Sequence, residues 1–123
     1  MFELSKHFHF DAAHTLHRQI ETESSRRIHG HSYRAEVALR GQADPVSGMV
    51  MDVGLLAQAL ETTRAALDHH FLDEIPDLGP ATMENLCTWI WRRLAPLCPC
   101  LHRVTVSRAS NGDCCSYFGP IAP

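Results

Sequence analysis

The segment RRIHGHSY, residues 26–33, sets His29 and His31 on either side of one glycine. In a strand, residues i and i+2 project from the same face. If strand structure reaches back to His29, both imidazoles aim at one point, and Gly30 between them adds no competing side chain. Imidazole is a favoured zinc ligand, and a catalytic zinc takes three protein ligands and keeps one position open. His14, just after a candidate first strand, is the natural third ligand. His7 and His9 form a rival pair, but their alternation with Phe8 and Phe10 marks the polar face of a strand. In LDHHFLD, Asp68 beside His69 offers a carboxylate to orient an imidazole, as a general acid–base requires. The competing reading of that segment is an exposed polar turn after a helix, and His70 fits that reading best.

Nine histidines in 123 residues are the compositional anomaly, and most gather in the first quarter of the chain. The five cysteines include no C-x-x-C pair, so they read as free thiols, several of them buried. A formal charge of -3 without a dense basic stripe gives no case for nucleic acid. Arg26-Arg27 and Arg92-Arg93 read as solvated surface arginines. No apolar run approaches the roughly 20 residues that cross a bilayer. The alternating start of the chain is unlike a signal peptide, so a cytoplasmic protein without membrane partners is expected.

The elements that must position these residues follow from periodicity. Residues 2–10 alternate, with Phe2, Leu4, Lys6, Phe8 and Phe10 on one face, and residues 32–41 alternate again. Both patterns predict strands. The polar stretch between them, residues 15–27, reads as a long loop, a feature often functional in compact domains. Asp52 stands as an N-cap for a helix over residues 53–67, whose buried stripe is Leu55, Leu56, Ala59, Leu60, Thr63 and Leu67. Thr82 caps a second helix, with Glu84 in its first turn and Leu86, Trp89, Ile90 and Leu94 inward. Pro96 and Pro99 end it. HRVTVSRAS and CCSYFG are two more strands joined at NGD. The expected order is ββααββ in a single domain, 1–123: α+β, helices on one face of an antiparallel sheet.

Together FHFDAAHTL, HGHSY, DPVSGMVMDVGLL, LDHHFLDEIP and ATMENLCTWIW resemble the 6-pyruvoyltetrahydropterin synthase family, closest to its 6-carboxytetrahydropterin synthases of queuosine biosynthesis. The resemblance implies a T-fold, a four-stranded antiparallel sheet with two helices on one face. It implies a homo-oligomer, trimer or hexamer, with active sites between subunits. It implies zinc on His14, His29 and His31, Asp68 and His69 as proton-relay partners, and Thr82 and Glu84 near a bound pterin. The activity implied is that of a zinc-dependent carbon–oxygen or carbon–carbon lyase acting on 7,8-dihydroneopterin triphosphate or a related pterin.

The chain departs from the family pattern at two site positions. Ser25 stands where the family keeps a catalytic cysteine, and an alkyl hydroxyl accepts protons far less readily than a thiol of pKa about 8.5. Arg108 aligns with the glutamate that binds the pterin's guanidine-like edge, and a guanidinium has only donors. It suits a carboxylate or phosphate instead. Two alternatives to the family activity follow: a zinc lyase or aldolase repurposed for a non-pterin anionic substrate met by Arg108, or a non-catalytic pterin-binding homologue.

Overall fold

A computed structural model describes residues 1–121; residues 122–123, the end of the expected single domain, lie outside the described residues. Strand β1 runs Phe2–His14 and β2 runs His29–Gly41. Both reach further toward the histidines than alternation alone predicts. The polar residues there satisfy one another's backbones: β1 and β2 pair antiparallel from Phe2↔Gly41 to His14↔His29. On the inward face, buried Phe8, Phe10 and Ala12 lead directly to buried His14. Facing them on β2 are Ala35, Tyr33, His31 and His29.

The connection expected as a loop contains a short helix, α1, Thr22–Arg26. Its turn closes through the Ser25 amide on the Glu21 carbonyl and the Thr22 hydroxyl on the Arg18 carbonyl. Only Ser25 of this helix is buried, so the segment has no apolar period to announce it. The observed order is therefore βαβααββ.

Helix α2, Val53–Leu67, has the predicted ends, and the Asp52 carboxylate accepts from the Gly54 and Leu55 amides. Its buried stripe is Leu56, Ala59, Leu60, Thr63 and Leu67. Leu55 is not in that stripe but 58% exposed, because it sits about 100° around the helix from Leu56. Helix α3, Met83–Leu94, starts at Thr82, whose hydroxyl accepts from the Asn85 amide, and buries Leu86, Cys87, Trp89, Ile90 and Leu94. Strands β3, Leu101–Arg108, and β4, Asp113–Tyr117, complete the antiparallel sheet in the order β1-β2-β3-β4. Between them the chain turns through a 3-10 segment and Gly112, whose φ of 74° suits glycine.

Helices α2 and α3 share one core with the inward residues of β1, β2 and β3, among them Val104 and Val106. No helix among the described residues is long and apolar enough to cross a membrane. The free edge of β1 is covered by the segment after α2. There the His69 amide donates to the Asp11 carbonyl, and the Ala13 amide donates to the His70 carbonyl. The Asp73 carboxylate accepts from the Thr15 amide and from the Thr15 hydroxyl. The end of β1 that carries His14 is thereby held from outside as well as by β2.

Candidate metal centre

His14 and His29 face each other across the β1–β2 pair, and His31 lies diagonally beside them on the same face. One ligand nitrogen from each of the three lies within 4.8 Å of the other two. Among the described residues this is the one such group; His7 and His9 are exposed on the other face and join no cluster.

The outer nitrogens are tied down by main-chain carbonyls. His14 Nδ1 lies 2.8 Å from the Ala81 carbonyl, just ahead of α3, and His29 Nδ1 lies 2.8 Å from the Arg27 carbonyl, just after α1. A carbonyl only accepts, so both Nδ1 atoms carry the proton and both Nε2 atoms present lone pairs. Those two Nε2 atoms stand 2.9 Å apart. Lone pairs held that close can share a cation between them, and the donor set fits a zinc-like ion.

Burial and the neighbouring charges keep His14 and His31 neutral. Desolvation, above all, lowers the pKa of His14, and His29 and Arg108 add to the effect. Burial followed by Arg108 lowers that of His31 to about 4. Neutral imidazole is the ligating form. In the metal-free protein the unfolded chain takes up protons on these histidines from about 6.5 downward, while the folded chain does not. Stability is then fully present above pH 6.5 and is lost as pH falls toward 4. A melting temperature that drops across that window in chelator, with a shallower drop in His31→Gln, is the expected result. A flat profile would contradict it.

Arg108 joins the cluster. Its Nη1 lies 3.3 Å from His31 Nε2, and its Nη2 donates to Asp113 on β4 at 2.6 Å. Strand alternation beyond Val104 and Val106 turns Arg108 inward. Tyr33, two residues past His31, packs its ring 5.7 Å from the His31 ring and stacks on Phe10. Tyr33 was legible only as a core residue, although its spacing from His29 and His31 places it on their face. The Ala81 and Arg27 carbonyls and Asp113 left no signal in the sequence.

The other expected site residues fall elsewhere. Asp68 accepts from the Asp11 amide, Arg64 and His69 Nδ1, each at 2.9 Å. The Asp11 amide first, and His69 second, hold its carboxyl below the usual range. His69 lines an open cavity of about 490 Å³ with Asp11, Ala13, Gly30, Ser32 and His31, so this cavity reaches one member of the triad. No hydrogen bond joins His69 to His14, His29 or His31 among the described residues. Ser25 is buried, and its hydroxyl donates to the Thr22 carbonyl at 3.0 Å, so no base activates it. Thr82 lines a second cavity of about 390 Å³ with Thr15, Asp73 and Ala81, next to His14. Glu84 is exposed on the first turn of α3 and lines neither of these cavities.

Comparison with known proteins follows the same outline. The family model described as 6-pyruvoyl tetrahydropterin synthase matches residues 3–120. A 6-pyruvoyl tetrahydrobiopterin synthase from Poecilia reticulata is 36% identical over 73% of this chain and 71% of its own. A 6-carboxy-5,6,7,8-tetrahydropterin synthase from Synechocystis is 33% identical over 98% of this chain and 95% of its own. The solved 6-pyruvoyl tetrahydropterin synthase of Caenorhabditis elegans superposes with a TM-score of 0.82 at 26% identity, covering 97% of this chain and 96% of the other. The Plasmodium vivax enzyme shares the fold alone, with a TM-score of 0.76 at 21% identity, covering 98% of each chain.

Proposed function

The chain belongs to the 6-pyruvoyl tetrahydropterin synthase family and has its T-fold, and from that membership we propose a zinc-dependent lyase acting on 7,8-dihydroneopterin triphosphate or a related pterin. The observation that carries this reading is the pair of lone-pair-bearing Nε2 atoms of His14 and His29, 2.9 Å apart, with His31 beside them. These three side chains would hold the zinc. When bound, it supplies Lewis-acid polarisation of the substrate's side-chain oxygens.

The proton work falls to His69. Its Nδ1 is held by the ionised Asp68 carboxylate, which leaves Nε2 free to take or give a proton. Because His69 makes no bond to the triad of its own chain, the reading includes a homo-oligomer, trimer or hexamer, in which neighbouring subunits complete each site. Thr82 and Arg108 are assigned to the substrate, and Glu84 to its approach. Ser25 keeps the place of the family thiol without its chemistry, because its hydroxyl is held by the Thr22 carbonyl. The whole chain is taken as one domain acting in the cytoplasm.

Incubation of the zinc-replete protein with 7,8-dihydroneopterin triphosphate, followed by mass spectrometry, tests the reading. Loss of triphosphate with formation of a tetrahydropterin is expected, abolished by chelator and restored by zinc. A fully metal-loaded protein with no turnover would overturn it. The second reading, a lyase turned to a non-pterin anionic substrate, is favoured by the contact of Arg108 with His31. Turnover of such a substrate, with none of the pterin, would establish it instead.

A further inference from the structure

The inward face of β3 ends in a guanidinium. Val104 and Val106 are fully buried, and Arg108 follows on the same face with its side chain only 15% exposed. Asp113 holds its Nη2, and its Nη1 rests on His31 Nε2. Its Nε is buried with no partner, and so is the Tyr33 hydroxyl, on a residue 2% exposed. Arg108 lies close enough to act on the Tyr33 hydroxyl, yet neither its Nε nor that hydroxyl makes a hydrogen bond of good geometry. Native proteins rarely leave such groups unmatched, and an acceptor from outside is the economical answer.

We propose that Arg108 and Tyr33 form an anion-receiving subsite contiguous with the metal centre, which takes a carboxylate or phosphate of the substrate. The inference rests on the reading of His14, His29 and His31 as metal ligands. His31 Nε2 has one lone pair and cannot serve both Nη1 and a metal. Metal on the triad frees Nη1, and a cation beside a guanidinium is repelled unless an anion lies between them. Metal and anion should consequently favour each other's binding, by the same factor in both directions. The planar fork of Arg108, fixed at one end by Asp113, is pre-organised for paired anionic oxygens. The substrate thus meets this position through an acidic group.

Zinc affinity measured by competition with a chromophoric chelator, with and without acetate or inorganic phosphate and corrected for zinc held by the free anion, tests the subsite. In the wild-type protein the matching anion should tighten zinc by at least about fivefold. Whichever of the two probes couples more strongly identifies the group. Arg108→Met should lose the coupling while binding zinc no more weakly than wild type, since nothing then competes for His31. Arg108→Lys should keep part of it. Tyr33→Phe removes an unpaired buried hydroxyl, so it should fold at least as stably and show reduced coupling. Zinc bound with no anion coupling, or coupling unchanged in Arg108→Met, overturns the subsite and leaves the metal reading standing. Failure of the wild type to bind zinc overturns the metal reading itself, and this inference with it.

Discussion

Replacing His29 with alanine is expected to strip the protein of its metal and leave the fold intact. His29 is the suitable member of the triad for this test. His14 is fully buried, so its truncation would open a cavity and confuse metal loss with unfolding. His31 carries the Arg108 contact, so its loss would disturb two sites at once. His29 is half-buried at the start of β2, and its fixed partner is the Arg27 carbonyl, which solvent can satisfy after substitution. Removing its Nε2 also relieves the 2.9 Å opposition with His14, so the metal-free variant should melt no lower than metal-free wild type. Losing an outer-shell partner typically costs 10–100-fold in metal affinity, and losing a ligand should cost more than about 100-fold. Zinc content after dialysis and a chelator-competition Kd measure it, and turnover should fall to background with the metal. Stoichiometric zinc at unchanged affinity in His29→Ala would remove the triad from consideration as the metal site.

Much of this site was legible because strand periodicity is simple. His29 and His31 are two apart, and a strand leaves them no choice but one face. His14 needed more, since its meeting with His29 depends on the register of β1 against β2. The caps Asp52 and Thr82 were legible because each is a short polar side chain directly ahead of an apolar stripe. What stayed hidden was main chain or context. The Ala81 and Arg27 carbonyls that fix the two imidazoles belong to residues whose types say nothing about that role. Helix α1 could not be seen, because five residues with one buried serine carry no period. Tyr33 was misleading in a different way. Its ring belongs to the core and its hydroxyl to the site, and alternation reports only the ring. Arg108 was visible as a departure from the family pattern, but its contact with His31 required the inward turn of β3 at its last residue.

His69→Asn is expected to lower kcat by about 10²–10⁴-fold, the usual contribution of a positioned acid–base, while zinc affinity and melting temperature stay near wild type. The choice of asparagine follows from the backbone. His69 has φ 58°, in the left-handed region, where alanine would be strained and asparagine is well tolerated. A variant that keeps the backbone isolates the imidazole. Its neighbour cannot serve the same purpose: Asp68 also accepts from the Asp11 amide and from Arg64, so Asp68→Asn would loosen the edge of β1 as well as the imidazole. A purely structural His69 would show its loss in the melting temperature, but its side chain is 79% exposed and contributes little packing. A kcat within threefold of wild type in a zinc-loaded His69→Asn protein would move the proton work to another residue. A deep fall with zinc still bound would separate the two halves of the chemistry, with the triad holding the metal and an imidazole on the edge of the sheet moving the proton. Mixing His69→Asn with His29→Ala chains then asks where those halves meet: activity recovered in the mixed oligomer requires a site shared between subunits, because neither chain alone has both.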